Sequence, residues 1–426
     1  MNKKISKSIF TSLLMACVLL ITSCGYEPIF YGIMNDVAPE EATVNGNITS
    51  IARCNINGEE YLFLTGNGAL MYKSAASEKH GEWKKYSKLP FDLHHYNYFP
   101  TDEGGEGHKG QQILKVVSDK DNLYILSASF TTDTEYGIVL PKNFYLWTKP
   151  LATMLPASKE GWKDISADVK SSLFITKYDT SEGEFNTYFN LFSTNSPIPE
   201  HRKAFFRVTK TENGNTVQEY YMLDGTNNMP PQKDDSIGQT NYVATNEENT
   251  RVNSAFYLGD TLYFSDALAV TTNETKDKAA TLACIGAVSK KYNPNSKLMT
   301  FDGTNLEELL SAGSTIACLA MTADSILIGK GSYNTSYTTD GGMERVLLVD
   351  GKPQNETSPF ESNAKYQFTT SYIIMTILCA DPSKTEAEAC LYATLSYRGT
   401  TTSSSGSPKN VGLWSYYPGR GNWNRE

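Results

Sequence analysis

Three of the chain's five histidines, His94, His95 and His108, fall in one stretch, "FDLHHYNYFPTDEGGEGHKG" (91–110), beside Asp102, Glu103 and Glu106. Imidazole and carboxylate together are a ligand set for zinc and other divalent ions, which makes these three the metal candidates of the sequence. Their spacing matches no metal motif, and a polar, glycine-rich stretch of this kind is ordinarily a solvated connection. The expectation is therefore no metal and no cofactor. The same stretch carries Tyr96, Tyr98 and Phe99, and Tyr416 and Tyr417 stand near the other end of the chain. Tyrosine offers a flat apolar face with a hydroxyl handle, suited to a sugar ring or to a partner protein's surface. Most of the 26 tyrosines alternate within strand-like runs and are expected to pack between sheets; these loop aromatics are the candidate contact residues.

Signals for covalent chemistry are weak. A serine nucleophile would want Gly-x-Ser-x-Gly at a strand-turn-helix junction, and a phosphate site would want a glycine-rich turn opening a helix. "GTTTSSSGSP" (399–408) has neither context and reads as a low-complexity hairpin tip. Glycoside hydrolysis needs two carboxylates about 5 to 10 Å apart, which a chain with 47 acidic residues always permits and never proves. The chain is not expected to be an enzyme; binding is the leading expectation, with glycan recognition and then glycoside hydrolysis as alternatives.

Seven cysteines are present, none spaced Cys-x-x-Cys. Cys54, Cys284, Cys318, Cys379 and Cys390 mostly sit in apolar runs such as "SIARC" and "TIACLAM", where cysteine serves as a small hydrophobe. Cys379 and Cys390 flank "ADPSKTEAEA" between two strand-like runs, which makes them the disulfide candidate of an exported chain.

Export is written at the start. "MNKKISKSIF" carries Lys3, Lys4 and Lys7 with no acid, and Ile9 to Ile21 is apolar apart from Thr11 and Ser12. That is a basic region followed by an apolar one, and its 13 residues fall short of the ~20 that span a bilayer. It ends at Ile21-Thr22-Ser23-Cys24, which resembles the lipobox of bacterial lipoproteins. The resemblance covers residues 1–24 and implies cleavage before Cys24 and lipid on its thiol and amine. At ~0.8 kcal/mol per buried methylene, two or three acyl chains hold a domain on a bilayer. Gly25 follows the cysteine where an aspartate would retain a lipoprotein in the inner membrane, so the resemblance favours the outer membrane of the cell envelope. Removing residues 1–23 takes three lysines and no acid, so the formal net charge of −9 becomes −12. Such a surface disfavours nucleic acid, and the expected partners are the membrane through its lipid and an envelope protein or a glycan.

The rest of the chain repeats. Apolar β-rich runs open at Ile48, Ile113, Leu173, Val252, Ile316 and Ile373, each followed by a turn rich in Asn, Asp or Gly and a second strand such as "EEYLFLTGN" or "DSILIGKGS". Third strands follow at 68–75, 143–150, 204–210, 344–351 and 411–418, and fourth strands at "GEWKKYSKLP", "GWKDISADV" and "GNWNRE". The best short helical turn is "NLEELLSAG" (305–313). This order predicts an all-β fold, a β-propeller of six four-stranded blades, with seven as the fallback. The expected organisation is a signal peptide at 1–23, a lipidated tether at 24–46 and a propeller at 47–426. Within the tether, "PIFYGIMNDV" (28–37) is a candidate closing strand. The turns before "GEW" and "GW" resemble, in degenerate form, the sialidase-type Asp box, in which an aspartate pins the turn between third and fourth strands and a tryptophan packs between blades. The nearest matches are Ser77 to Trp83, Ser158 to Trp162 and Thr338 to Arg345. The resemblance implies fold class only, since the sialidase Arg-Ile-Pro motif is missing.

Overall fold

The computed structural model describes residues 44, 48, 50–66, 69–79, 81–93, 110–133, 138–166, 178–179, 184–185, 187–193, 202–212, 215–223, 232–233, 250–258, 261–268, 297–301, 306–314, 316–331, 341–360, 372–397, 411–419 and 422–426. All belong to one compact unit, Thr43–Glu426. Cys24 and the candidate closing strand 28–37 lie outside them. The described fold is all-β, with no α-helix among the described residues and a single 3-10 turn at Leu151–Thr153.

Consecutive strands pair antiparallel in chain order, giving sheets over 51–85, 112–164, 187–233, 250–311, 316–353 and 372–425, each with a four-stranded meander. We number them sheets one to six. A short pair, Tyr178–Asp179 with Glu184–Phe185, precedes the third, and Ser358–Pro359 adds to the fifth. Local chemistry closes the hairpins: Asn57 and Gly58 both take positive φ (54° and 90°) between the first two strands of sheet one. This is the mirror-image turn whose twist matches that of the strands it joins. Asp350 and Gly351 repeat it in sheet five.

The first strands of the sheets are Ile51–Ile56, Gln112–Ser118, Thr187–Ser193, Thr250–Leu258, Ile316–Met321 and Tyr372–Cys379. Each touches the first strand of the next sheet, and the sixth touches the first, so the series closes on itself. Four of these six strands carry a β-bulge against their second strand, at Ile113/Lys115, Val252/Ala255, Ile316/Cys318 and Ile374/Thr376. Bulges raise local twist, which strands crowded about an axis require. The fold is β-propeller-like.

Sheet five is covered on both faces, and its second strand, Ser325–Lys330, is accordingly buried at all six positions. In sheet one, Ala52, Cys54, Ile56 and Phe63 pack against Val116, Leu123 and Ile125 of sheet two. Ile51, Leu62 and Leu64 turn the other way and meet Leu378, Tyr392 and Leu413 of sheet six. Each such side chain taken from water contributes about 1.5 to 3 kcal/mol.

The sequence repeat has an atomic counterpart. Leu70, Leu146 and Leu413 occupy one position on third strands, where their carbonyls accept the backbone N–H of Tyr86, Ile165 and Glu426 at 2.8, 2.9 and 3.0 Å. Three residues before each acceptor's partner stands a tryptophan: Trp83, Trp162 and Trp423. Three residues after the leucine stand Lys73, Lys149 and Tyr416. In the first two sheets it is this lysine, rather than an aspartate, that pins the turn between third and fourth strands: Lys73 Nζ donates to Lys79 O (2.5 Å) and Lys149 Nζ to Ser158 O (2.6 Å). Each ammonium also lies over its sheet's tryptophan ring, at 5.7 and 5.6 Å, a favourable cation–π contact.

Three expectations are corrected. "NLEELLSAG" supplies a strand, Leu306–Ser311, because antiparallel pairing with Lys297–Phe301 captures its apolar positions and overrides local helical preference. "AFFRVTK" lies in the second strand of sheet three, Ala204–Glu212, whose first strand is Thr187–Ser193, so that unit opens later than Leu173 suggests. The segment from Thr338 to Arg345 leads into a third strand rather than out of one, and so is not equivalent to the other two turn matches.

Candidate functional site

The ends of the innermost strands converge on a small cavity. Arg53 comes from the first strand of sheet one, Ala320 and Met321 from that of sheet five, and Leu378 and Cys379 from that of sheet six; Arg202 and Pro382 complete the lining. Arg202 precedes the second strand of sheet three, and its carbonyl accepts the Lys120 N–H (3.2 Å) from the turn of sheet two. All of these belong to the face on which first strands turn into second strands.

Glu60, opening the second strand of sheet one, joins the two arginines. Arg53 Nε donates to its Oε2 at 2.9 Å; Arg202 Nη1 and Nη2 donate to its Oε1 at 3.3 and 3.4 Å, alongside Asn55 Nδ2 at 3.2 Å. The side chains of Arg53 and Arg202 are 10% and 7% exposed. Burial works to raise the Glu60 pKa, but the hydrogen bond from Arg53 and the charges of both guanidiniums outweigh it and hold the carboxyl below its ordinary value. Burial, and then the charge of Arg53, lower Arg202. The turn beside them is fixed by Asp119, which accepts Asn122 N (2.6 Å), Asp121 N (2.7 Å) and Tyr124 OH (2.6 Å). Ser118 Oγ donates to Arg53 O (2.7 Å) and sets the height of the arginine along the axis.

The cavity holds about 10 Å³, room for about one water-sized atom. It presents guanidinium charge against an apolar wall. Its thiol, Cys379, is pushed up to about 12 by burial, which keeps it protonated and unreactive at neutral pH.

The expected site residues distribute differently. His94, His95, His108, Tyr96, Tyr98 and Phe99 lie outside the described residues; the stretch holding them is clamped at its base, where Gln111 N donates to Asp92 O (2.8 Å). Among the described residues no set of three His, Cys, Asp or Glu side chains gathers as for a metal ion. Tyr416 is half-buried against Trp423. Tyr417 is not a contact residue: it is fully buried, and its hydroxyl donates to Glu426 Oε1 inside the seam between sheets six and one.

Cys379 and Cys390 are both free thiols. Cys379 stands opposite Leu391 in the ladder, so Cys390 falls one residue out of step, beside Ala380. An offset of one residue turns two side chains to opposite faces of a sheet, and the two thiols accordingly enter different cores. Polar contacts fix the loop between them. Asp381 Oδ1 accepts Ser383 Oγ (2.6 Å), Lys384 O accepts Ala323 N (2.7 Å), and Glu386 pairs with Arg345 (2.9 Å).

Arg53, Arg202 and Glu60 escape a reading by motif, since residues from four parts of the chain meet only in the folded ring. One signal existed: Arg53 is a lone charge inside the apolar strand "IARCNI".

Neither a family model nor a curated protein matches the chain. Among solved structures it is similar to a Trypanosoma rangeli sialidase in complex with sialic acid, at 8% identity and a TM-score of 0.41 over 87% of this chain and 54% of that one. It is also similar to a Cellvibrio cellulosa alpha-L-arabinanase complexed with arabinohexaose (10%, 0.32, 73% and 95%). A third is the C-terminal domain of gp131 from bacteriophage phiKZ (8%, 0.33, 82% and 80%). The chain spans about half the length of the sialidase. At these scores the likenesses add nothing to what the packing of the sheets shows.

Proposed function

We propose that this protein is a six-bladed β-propeller, held on the bacterial cell envelope by lipid on Cys24, whose work is to bind a protein partner at the outer membrane or cell surface. The observation that carries the binding role is the arginine-lined cavity at the ends of the innermost strands: it offers fixed charge and shape, and its one thiol is protonated and inert. The closed series of first strands supports the blade count. The lipobox at 21–24 and Gly25 support the location. A ring of packed sheets makes a rigid platform on which loops and strand ends are presented.

Two experiments test this reading. Full-length lipidated protein purified from its native membranes in mild detergent is expected to carry a stoichiometric protein partner; a lone protein in repeated preparations refutes the interaction role. Cys24→Ala is expected to release the protein from membranes and abolish palmitate labelling, and labelling that persists refutes the anchor.

A further inference from the structure

Arg53 differs from the other cations of the interior. Lys73 and Lys149 have their ammonium groups filled by a carbonyl, a hydroxyl and aromatic faces. Lys330 pairs with Glu344. Arg53 uses Nε on Glu60, and its Nη1 and Nη2 make no hydrogen bond among the described residues, although its side chain is only 10% exposed. A guanidinium presents five donors in a planar fork that matches a carboxylate edge, so this side chain is half used.

Arg53 is one of two arginines that line the cavity. Ala320, Met321, Leu378 and Pro382 wall it with apolar surface, which strengthens an ionic hydrogen bond by excluding water. Asp381 lies close enough to Arg53 to be held below its ordinary value in part by that charge, although burial, the largest influence, works to raise it. Its Oδ1, however, accepts Ser383 N (3.1 Å) and Ser383 Oγ (2.6 Å), and no ion pair joins Asp381 to Arg53 among the described residues. A cavity of about 10 Å³ receives about one oxygen. It excludes a sugar ring but admits one oxygen of an anion, and the anion that a protein partner itself supplies is the side-chain carboxylate.

We infer that this cavity is a carboxylate site, filled by the side chain of an acidic residue that the protein partner presents to Arg53. The inference rests on the binding role proposed above and names the chemistry of its contact.

The probe is an acetyl-Gly-Glu-Gly amide peptide, titrated calorimetrically into the full-length protein in detergent at fixed ionic strength, with the Gly-Gln-Gly peptide and inorganic phosphate in parallel. The Glu peptide is expected to bind saturably and the Gln peptide not at all. Arg53→Gln is expected to weaken binding by about tenfold or more, as loss of a charged hydrogen bond does. Arg53→Lys, which keeps the charge and loses the fork, is expected to fall between, and covers the case in which Arg53→Gln unfolds. Glu60→Gln removes the competing internal carboxylate and is expected to tighten binding. No binding of the Glu peptide, binding of phosphate in its place, or equal weakening in the Glu60 and Arg53 variants overturns the inference. A partner that co-purifies undiminished with Arg53→Gln overturns it while leaving the binding role standing.

Discussion

The seam between sheets one and six is the point at which the ring closes, and one substitution measures what holds it. Glu426 is fully buried there: Oε1 lies 3.5 Å from Lys73 Nζ and accepts the Tyr417 hydroxyl, and Oε2 accepts Trp83 Nε1 at 3.1 Å. Lys73 is equally buried and lies over Trp83, Tyr392 and Tyr417 at 5.7, 5.7 and 4.9 Å. Glu426→Gln preserves volume and removes the charge, stranding an ammonium in the core. Breaking a buried pair from one side costs about 3 to 5 kcal/mol, a large part of the ~5 to 15 kcal/mol that holds a domain folded. The equivalent position at the seam of sheets one and two is Tyr86, whose hydroxyl takes Lys149 Nζ at 3.2 Å with no carboxylate. Lys149→Met there removes hydrogen bonds from an ammonium to uncharged acceptors together with ring contacts, and about 1.5 to 3 kcal/mol is expected.

Urea unfolding of the full chain, followed by tryptophan fluorescence, compares the two, with Lys73→Met and the double variant completing a cycle. The double variant is expected to be markedly less damaged than the sum of the single ones, because it leaves no unpaired charge. The loss in Glu426→Gln also has a sign in pH. Burial already lowers Lys73, against the counter-pull of Glu426. Without that carboxylate the folded-state value falls further, the unfolded chain binds the extra proton, and stability recovers as pH rises toward the ordinary lysine value near 10. A loss below about 1 kcal/mol, or one no larger than that of Lys149→Met, refutes the ion pair as the clasp of the ring. The seam matters to the site, since Arg53 and Cys379 face one cavity from its two sides.

Three further outcomes are expected. Glu60, held below its ordinary value, contributes stability that is present above about pH 4.5 and is lost as pH falls through its folded value, so Glu60→Gln should flatten that part of the acid limb of a stability–pH curve. A Cβ on Gly329 would stand 2.4 Å from Cys318 Sγ and 2.9 Å from Ile374 Cγ2. Gly329→Ala should therefore lower stability by about 1 to 3 kcal/mol, and Cys318→Ala should do less harm in that background than alone. Burial pushes Cys54 and Cys379 to about 12 and Cys390 to about 11. Iodoacetamide at pH 8 should spare Cys54 and Cys379 in the folded protein and label all three in urea without reductant; a need for reductant at Cys379 and Cys390 would restore the disulfide.

Most strands were legible in the sequence because the signals that make them are local. Alternation in "EEYLFLTG", Asn57-Gly58 at a tight hairpin and the recurring Trp three residues before a strand's last partner each act within about ten residues. Where the reading failed, a distant partner decided. Leu306–Ser311 is a strand because Lys297–Phe301 pairs with it. Cys379 and Cys390 are close in the chain yet separated by one step of register, which only the ladder fixes. Tyr417 looked like a surface ring and is core because Lys73 and Glu426, hundreds of residues apart, meet at its hydroxyl.

By itself, then, the sequence determined an all-β chain and the repeat of strand, turn and tryptophan, consequences of short-range backbone and side-chain preference. Only the tertiary structure decided that the series of sheets closes, that in sheets one and two a lysine takes the aspartate's place as the pin of the turn, that Arg53 and Arg202 line one cavity, and that Glu60 joins them. Those facts depend on which strand ends a ring brings to its axis, a long-range constraint that no single stretch of chain records.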